Sequence, residues 1–253
     1  MAYGKPSADI VEETARILKV SREKGILLKL MGGLAIRFHC PSATYRSLKR
    51  KYPDIDWVGL RKQDRQIEKL FAELNYTPNK LFNAVHGHER LQFGDLENER
   101  LVDIILDKFK MCHTLDLRDR LEIYERTIPL ADLFLTKMQV VELNEKDIRD
   151  SITLLKDHTL GEADAEETIN IARISKVCSK DWGWYKTMMI NLEKLLGLLS
   201  NYKLSKNDED ETREKINIVL KRIENEPKSM MWKIRGLIGE RKRWWFPVEE
   251  VLR

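Results

Sequence analysis

Apolar residues in the first half of the chain fall in short runs divided by turn residues, and in the second half they recur every three or four positions over long stretches. Ile10, Val11, Thr14, Ile17 and Leu18 keep helical spacing and predict a helix over residues 7–21, with Ser7 as its cap. Gly25 ends that region, and residues 26–31 form a short, mostly apolar strand. Residues 34–39 read as the first turns of a helix opening at Gly32-Gly33 and stopped by Pro41. Residues 54–60 predict a second strand, and residues 62–74 an amphipathic helix with Ile67, Leu70, Phe71 and Leu74 as its apolar stripe. Residues 81–85 and 90–93 predict short strands around the turn His86-Gly87-His88, Arg100–Leu106 a further strand, and residues 121–124 one more.

From Pro129 the pattern changes. Residues 130–141, 145–156, 163–177, 182–199, 209–225 and 229–239 all read as helices, with residues 201–211 as a polar, exposed turn. Strands and helices mixed in the first part, then helices alone, predict an α+β fold: a core over residues 1–128 and an all-helical C-terminal region over residues 129–253.

With 253 residues, 42 % apolar and 34 % charged, the chain can bury a core beneath a well-solvated surface. No apolar stretch approaches the roughly 20 residues that cross a bilayer. The start Met-Ala-Tyr-Gly-Lys-Pro has no apolar signal core, which predicts a chain that is not secreted. Cys40, Cys112 and Cys178 are far apart and odd in number, so they read as reduced thiols of a cytoplasmic protein. The net charge of +4 neither requires nor excludes nucleic acid.

The candidate chemistry sits among the predicted strands. Gly32-Gly33 follows a strand, where a glycine pair can bring backbone N–H groups close to a phosphate. Asp54 and Asp56 are two residues apart on an extended segment, so alternation points both carboxylates to one side, with Ile55 and Trp57 on the other. Asp103 joins them if its strand lies alongside. Three carboxylates in one spot repel each other, and a divalent cation reverses that penalty. Hard oxygen donors beside phosphate favour Mg²⁺ or Mn²⁺. Taken singly, each motif has a plainer reading: an Asp-x-Asp is usually a solvated turn or a cap, and a glycine pair a turn. The functional reading comes from their order: strand, Gly-Gly, helix, basic loop, Asp-x-Asp strand, helix, hairpin, Asp-bearing strand.

That conjunction resembles the DNA-polymerase-β-like nucleotidyltransferase superfamily, and within it the AbiEii/AbiGii-toxin-like branch and similar minimal nucleotidyltransferases. Met31-Gly-Gly-Leu-Ala35 resembles the Gly-Gly motif that opens a helix. Arg50-Lys-Tyr-Pro-Asp54-Ile-Asp56 resembles the basic approach to Asp-x-Asp. Arg90-Leu-Gln-Phe93 with Val102-Asp103-Ile-Ile-Leu106 resembles the strand pair bearing the third acid. Thr127-Ile-Pro-Leu-Ala-Asp-Leu-Phe-Leu-Thr-Lys137 resembles the segment whose lysine contacts nucleotide phosphates, and Lys146-Asp147-Ile-Arg-Asp150 the charged segment on the next helix. The likeness covers residues 26–156. It implies a mixed sheet flanked by helices and a Mg²⁺-dependent (or Mn²⁺-dependent) transfer of an NMP from an NTP to an acceptor hydroxyl. Asp54, Asp56 and Asp103 would be the catalytic and metal-ligating residues, and Gly32, Gly33, Arg50 and Lys137 the nucleotide-binding ones. The acceptor would be RNA, protein or a small molecule. The toxin-like members imply a toxin–antitoxin or phage-defence role and an antitoxin partner, and the want of a long apolar stretch predicts no membrane partner. Two positions depart from the family pattern: Leu34 replaces the Ser or Thr that often follows the glycine pair, and Tyr52-Pro53 the Ser or Thr that often precedes the acids.

Other residues carry competing readings. Lys137 is either a cation aimed at a triphosphate or a solvated helix lysine. Asp147 and Asp150 either orient Lys137 or Arg149 by pairing or are surface charges. Arg46, Lys49, Arg50 and Lys51 form a basic loop able to hold an NTP or RNA backbone, or a solvated face. His86 and His88 read as a hairpin turn, and no histidine–cysteine spacing fits zinc. Residues 228–246 interleave Trp232, Trp244, Trp245 and Phe246 with Lys233, Arg235, Arg241, Lys242 and Arg243. They suit single-stranded nucleic acid or, more plainly, a terminal helix packing its tryptophans. The rival to the enzyme reading is a non-catalytic protein of the same fold that binds RNA or a partner chain.

Overall fold

The computed structural model describes residues 3–247; Met1, Ala2 and residues 248–253, with which the two expected domain ranges begin and end, lie outside the described residues. The chain folds as two compact units, each visited more than once. The first takes the chain up to Ala35, Lys51–Phe109 and Asp116–Ile128; the second takes Ile36–Arg50, Lys110–Leu115 and the chain from Pro129 onward.

In the first unit, α1 (Ile10–Glu23) is capped by Asp9, whose carboxylate accepts from the N–H groups of Val11 and Glu12. Ser7, the expected cap, instead donates its hydroxyl to Glu12 at 2.9 Å. β1 (Leu28–Met31) runs straight into α2 (Gly32–His39). Then come β2 (Ile55–Gly59), α3 (Asp64–Glu73), the two-residue β3 (Thr77–Pro78), α4 (Lys80–His86), β4 (Arg90–Asp95) and β5 (Arg100–Leu106). The five strands make a mixed sheet ordered β1-β2-β5-β4-β3, with β2 and β5 parallel and the other neighbours antiparallel. Trp57, Ile67, Leu70, Phe71, Val102 and Ile104 are wholly buried in its core, where Phe71 stacks on Phe93 with centroids 4.8 Å apart.

Two expected strands do not form. Residues 81–85 belong to α4, because the Asn79 side chain accepts from the Phe82 N–H and nucleates a helical turn. Its Leu81 and Val85 are 80 % and 59 % exposed, so the short apolar run has no sheet to pair with. Residues 121–124 are a turn anchored by the buried Leu121.

β6 (Lys108–Lys110) and β7 (Thr114–Asp116) make a two-stranded ribbon. The second unit is then built on α5 (Leu130–Met138), mostly apolar and buried on nearly every side, with its Asp132 paired to Arg173 at 3.0 Å. It continues with α6 (Glu145–Asp157), β8 (Thr159–Gly161), β9 (Thr168–Asn170), α7 (Ile171–Lys180), α8 (Trp182–Leu198), α9 (Lys206–Asn225) and α10 (Met230–Ile238). The helix expected over residues 163–177 begins only at Ile171, capped by Asn170, whose side chain accepts from the Arg173 N–H; β8 and β9 pair in parallel just before it. α9 starts earlier than expected, since Ser205 caps it and Asp208 and Glu209 complement the positive end of its dipole. Among the described residues no helix is long and apolar enough to cross a membrane.

Candidate functional site

The sheet aligns polar residues across its inner strands. Met31 on β1 pairs with Asp56 on β2, Asp56 with Asp103 on β5, and Asp103 with Gln92 on β4. Residues opposed in this way project from one face, so Asp56, Asp103 and Gln92 form a row. Asp54, one residue before β2, falls on the same face by alternation. Asp54 and Asp56 are half-buried, whereas Ile55 and Trp57 between and beyond them are wholly buried.

Asp103 is only 2 % exposed and is held by β4. Arg90 donates through Nε to Asp103 Oδ1 at 2.9 Å, its Nη2 lies 2.8 Å from Oδ2, and Gln92 Nε2 donates to Oδ1 at 3.2 Å. Asn79 in turn donates to the Gln92 side-chain oxygen at 2.6 Å. Arg90 and Gln92 were absent from the expected site residues, although their two-residue spacing on a strand beside Asp103 is a legible sign that they share its face. Among the described residues no three histidine, cysteine or acidic side chains stand together as a metal-binding group. The register therefore makes neighbours of the acids without drawing all three onto one point.

Gly32 sits at the join of β1 and α2 with φ +68°, a left-handed conformation that side chains rarely adopt. A Cβ built there would stand 2.2 Å from Asp56 Oδ2. The glycine thus serves two needs at once: the backbone reversal, and the space taken by the Asp56 carboxylate. Gly33 follows inside the first turn of α2, where backbone N–H groups have no intrahelical partner.

The two other expected nucleotide ligands, Arg50 and Lys137, belong to the second unit and meet there. Lys137 Nζ lies 2.9 Å from Asp150 and 3.3 Å from Asp147. Arg50 grips Asp150 with both prongs, Nε to Oδ1 and Nη2 to Oδ2, each at 2.8 Å. Burial opposes the Lys137 ammonium, but Asp150 and Asp147 outweigh it and its pKa is raised. Burial likewise raises the Asp147 carboxyl, whereas for Asp150 the two cations overcome burial and lower it. Arg149 takes no part and pairs with Glu145 at 2.8 Å.

Comparison with solved structures returns distant likenesses, two of which follow. One is to the lincomycin-bound crystal structure of the lincosamide antibiotic adenylyltransferase LnuA, with a TM-score of 0.40 and 15 % identity, covering 55 % of this chain and 92 % of that one. The other is to the solution structure of the antibiotic-resistance factor ANT(2'')-Ia, with a TM-score of 0.36 and 14 % identity, covering 56 % of this chain and 81 % of that one. No protein-family model and no curated protein sequence matches the chain.

The remaining candidates find structural places. His86 and His88 are exposed around the end of α4. Cys40 and His158 are buried together, Sγ 3.3 Å from Nε2, and burial pushes the thiol pKa up, which suits an inert side chain. The tryptophans of residues 228–246 pack within the second unit: Trp232 edge-on to Tyr185, and Trp244 edge-on to Trp182 with its indole N–H donating to Thr187 at 3.0 Å.

Proposed function

We propose that the chain is a metal-dependent nucleotidyltransferase that moves an NMP from an NTP to an acceptor hydroxyl and releases pyrophosphate. The observation that carries this reading is the register of Asp56 against Asp103 on parallel inner strands, with Gly32 pressed against the Asp56 carboxylate. The donor set consists of carboxylate oxygens, which suits a hard divalent cation such as Mg²⁺ or Mn²⁺. Asp54 and Asp56 would hold it, and Asp103 would complete the set by turning an oxygen from Arg90 or Gln92. The bound ion would supply charge stabilisation at the phosphoryl oxygens and the leaving group.

The chain's own residues have separate tasks. Gly32 clears space at the carboxylates, and the N–H groups opening α2 offer donors to phosphate oxygens. Arg90 and Gln92 fix the orientation of Asp103, which accepts the proton of the attacking hydroxyl. Arg50 and Lys137, as phosphate ligands implied by the motif resemblance, would each exchange a contact with Asp150 for one with a phosphate oxygen. The same resemblance supports an RNA or protein acceptor, an antitoxin partner and a place in phage defence. A cytoplasmic setting fits three cysteines that are all free and buried.

The test is incubation with labelled NTPs and Mg²⁺ against total RNA and protein. Transfer is expected, and it should vanish in the Asp54→Asn/Asp56→Asn variant. Transfer that survives both changes overturns the reading.

A further inference from the structure

Within the second unit, the basic segment that follows α2 and the turn that follows α8 border a pocket of ≈ 680 Å³. That lies inside the ~300–1,000 Å³ of small-molecule sites. One wall is fully committed. Arg149 donates through Nε to Glu145 Oε1 at 2.8 Å and through Nη1 to the carbonyls of Ser47 and Lys49, both at 3.1 Å. The other Glu145 oxygen accepts from the Tyr202 hydroxyl at 3.0 Å. Burial and that hydrogen bond push the Tyr202 pKa up, so the hydroxyl remains a donor. The charges of this wall cancel in place.

Arg46 and Lys203 stand differently. Both line the pocket and both are exposed, and among the described residues neither side chain has a hydrogen bond or an ion pair. Lys203 adopts φ 48° at the end of the turn, a conformation that glycine or asparagine usually fills. The Ser47 side chain adds a hydroxyl to the same lining. A nucleotide-sized cavity whose internal charges are matched, bordered by two unmatched cations, is suited to an anion.

We propose that this pocket binds a phosphate-bearing ligand of nucleotide size, with Arg46 and Lys203 on the phosphate oxygens and the Ser47 hydroxyl as a further donor. The phosphate could belong to a free mononucleotide or to the backbone of single-stranded RNA. The cations serve either, and the test separates them.

Binding should be measured in the Asp54→Asn/Asp56→Asn chain, in which the proposed transfer is disabled, so that this inference stands or falls apart from the proposed activity. The probes are uridine 5′-monophosphate, uridine, and a labelled ten-nucleotide RNA. The monophosphate or the RNA should bind, and uridine should not. Arg46→Glu with Lys203→Glu should weaken binding at least ~ten-fold, and for RNA should lower the salt slope by about 1.4. Asn201→Trp keeps every charge and adds bulk to the pocket lining at an exposed position. It should weaken binding as strongly, with the unfolding midpoint unchanged. Saturation by the monophosphate assigns a small ligand, and binding by the RNA alone assigns a backbone. No binding of either probe, equal affinity in the charge-reversed chain, or full affinity after Asn201→Trp overturns the proposal.

Discussion

The two groups of charged residues differ in how they are held. In the second unit Lys137, Arg50, Asp147 and Asp150 close on one another through contacts of 2.8–3.3 Å, cation to carboxylate. In the first unit, Asp56 and Asp103 are set beside each other by strand register; Asp103 is gripped by Arg90 at 2.8 Å, and a glycine leaves room for Asp56. The first pattern matches each buried acid to a cation within the cluster; the second brings two carboxylates to adjacent places on one sheet face. Adjacent acids maintained by the backbone are the better mark of function, and balanced clusters the better mark of structure.

The contrast can be broken by crossing activity with stability. Asp54→Asn with Asp56→Asn should lower nucleotidyl transfer by about a thousand-fold, roughly 4 kcal/mol of barrier. The same variant should shift its urea midpoint far less than it lowers transfer, because Asp→Asn keeps the side-chain size at half-buried positions. Lys137→Met should do the reverse in equilibrium unfolding, losing about 3 kcal/mol by leaving buried Asp147 without its cation. A neutral Lys137→Met would mean that the lysine is kept for a ligand and that the second cluster is functional too.

Acid should distinguish the units next. His39, His113 and His158 all lie in the second unit, while His86 and His88 of the first are exposed. Burial lowers the pKa of His113 to about 4 from 6.5, partly offset by Asp181. The unfolded chain therefore takes up the proton first, and stability falls as pH drops from 6.5 towards 4, then levels off. For His113 alone the loss is on the order of 3 kcal/mol, and His113→Asn should flatten that slope. Tryptophan fluorescence is the suitable probe, since only Trp57 lies in the first unit. The smallest effect is expected at Gly32→Ala, about 2 kcal/mol from the left-handed backbone and the displaced Asp56, with loss of transfer as well.

Much of this was legible in the chain because it rested on periodicity. Alternation around Ile55 and Trp57 placed Asp54 and Asp56, and a three-to-four repeat placed α3, α5, α6 and α8 within a few residues. What failed was short. Residues 81–85 carry too few positions to separate a strand from a turn of helix, and the Asn79 cap decided it. β9 hides inside a stretch that reads as helix until Asn170 is seen as a cap, and its partner β8 falls in the short gap before that stretch. The restraint on Asp103 by Arg90 and Gln92 depends on cross-strand register, which a linear pattern does not contain. The pairing of Arg50 with Asp150 spans a hundred residues, beyond the reach of any local rule.

The interleaving of the chain bears on how the protein can be taken apart. Cys40, Ala43 and Leu48 are buried, and the Ser42 N–H donates to Asp157 at 2.8 Å, yet this stretch precedes β2 in sequence. A fragment ending at Ile128 would strand these side chains in water without the helix that shelters them. Excision at the visible change of pattern should therefore yield an insoluble product. Dissection of the molecule is better done by substitution than by scissors.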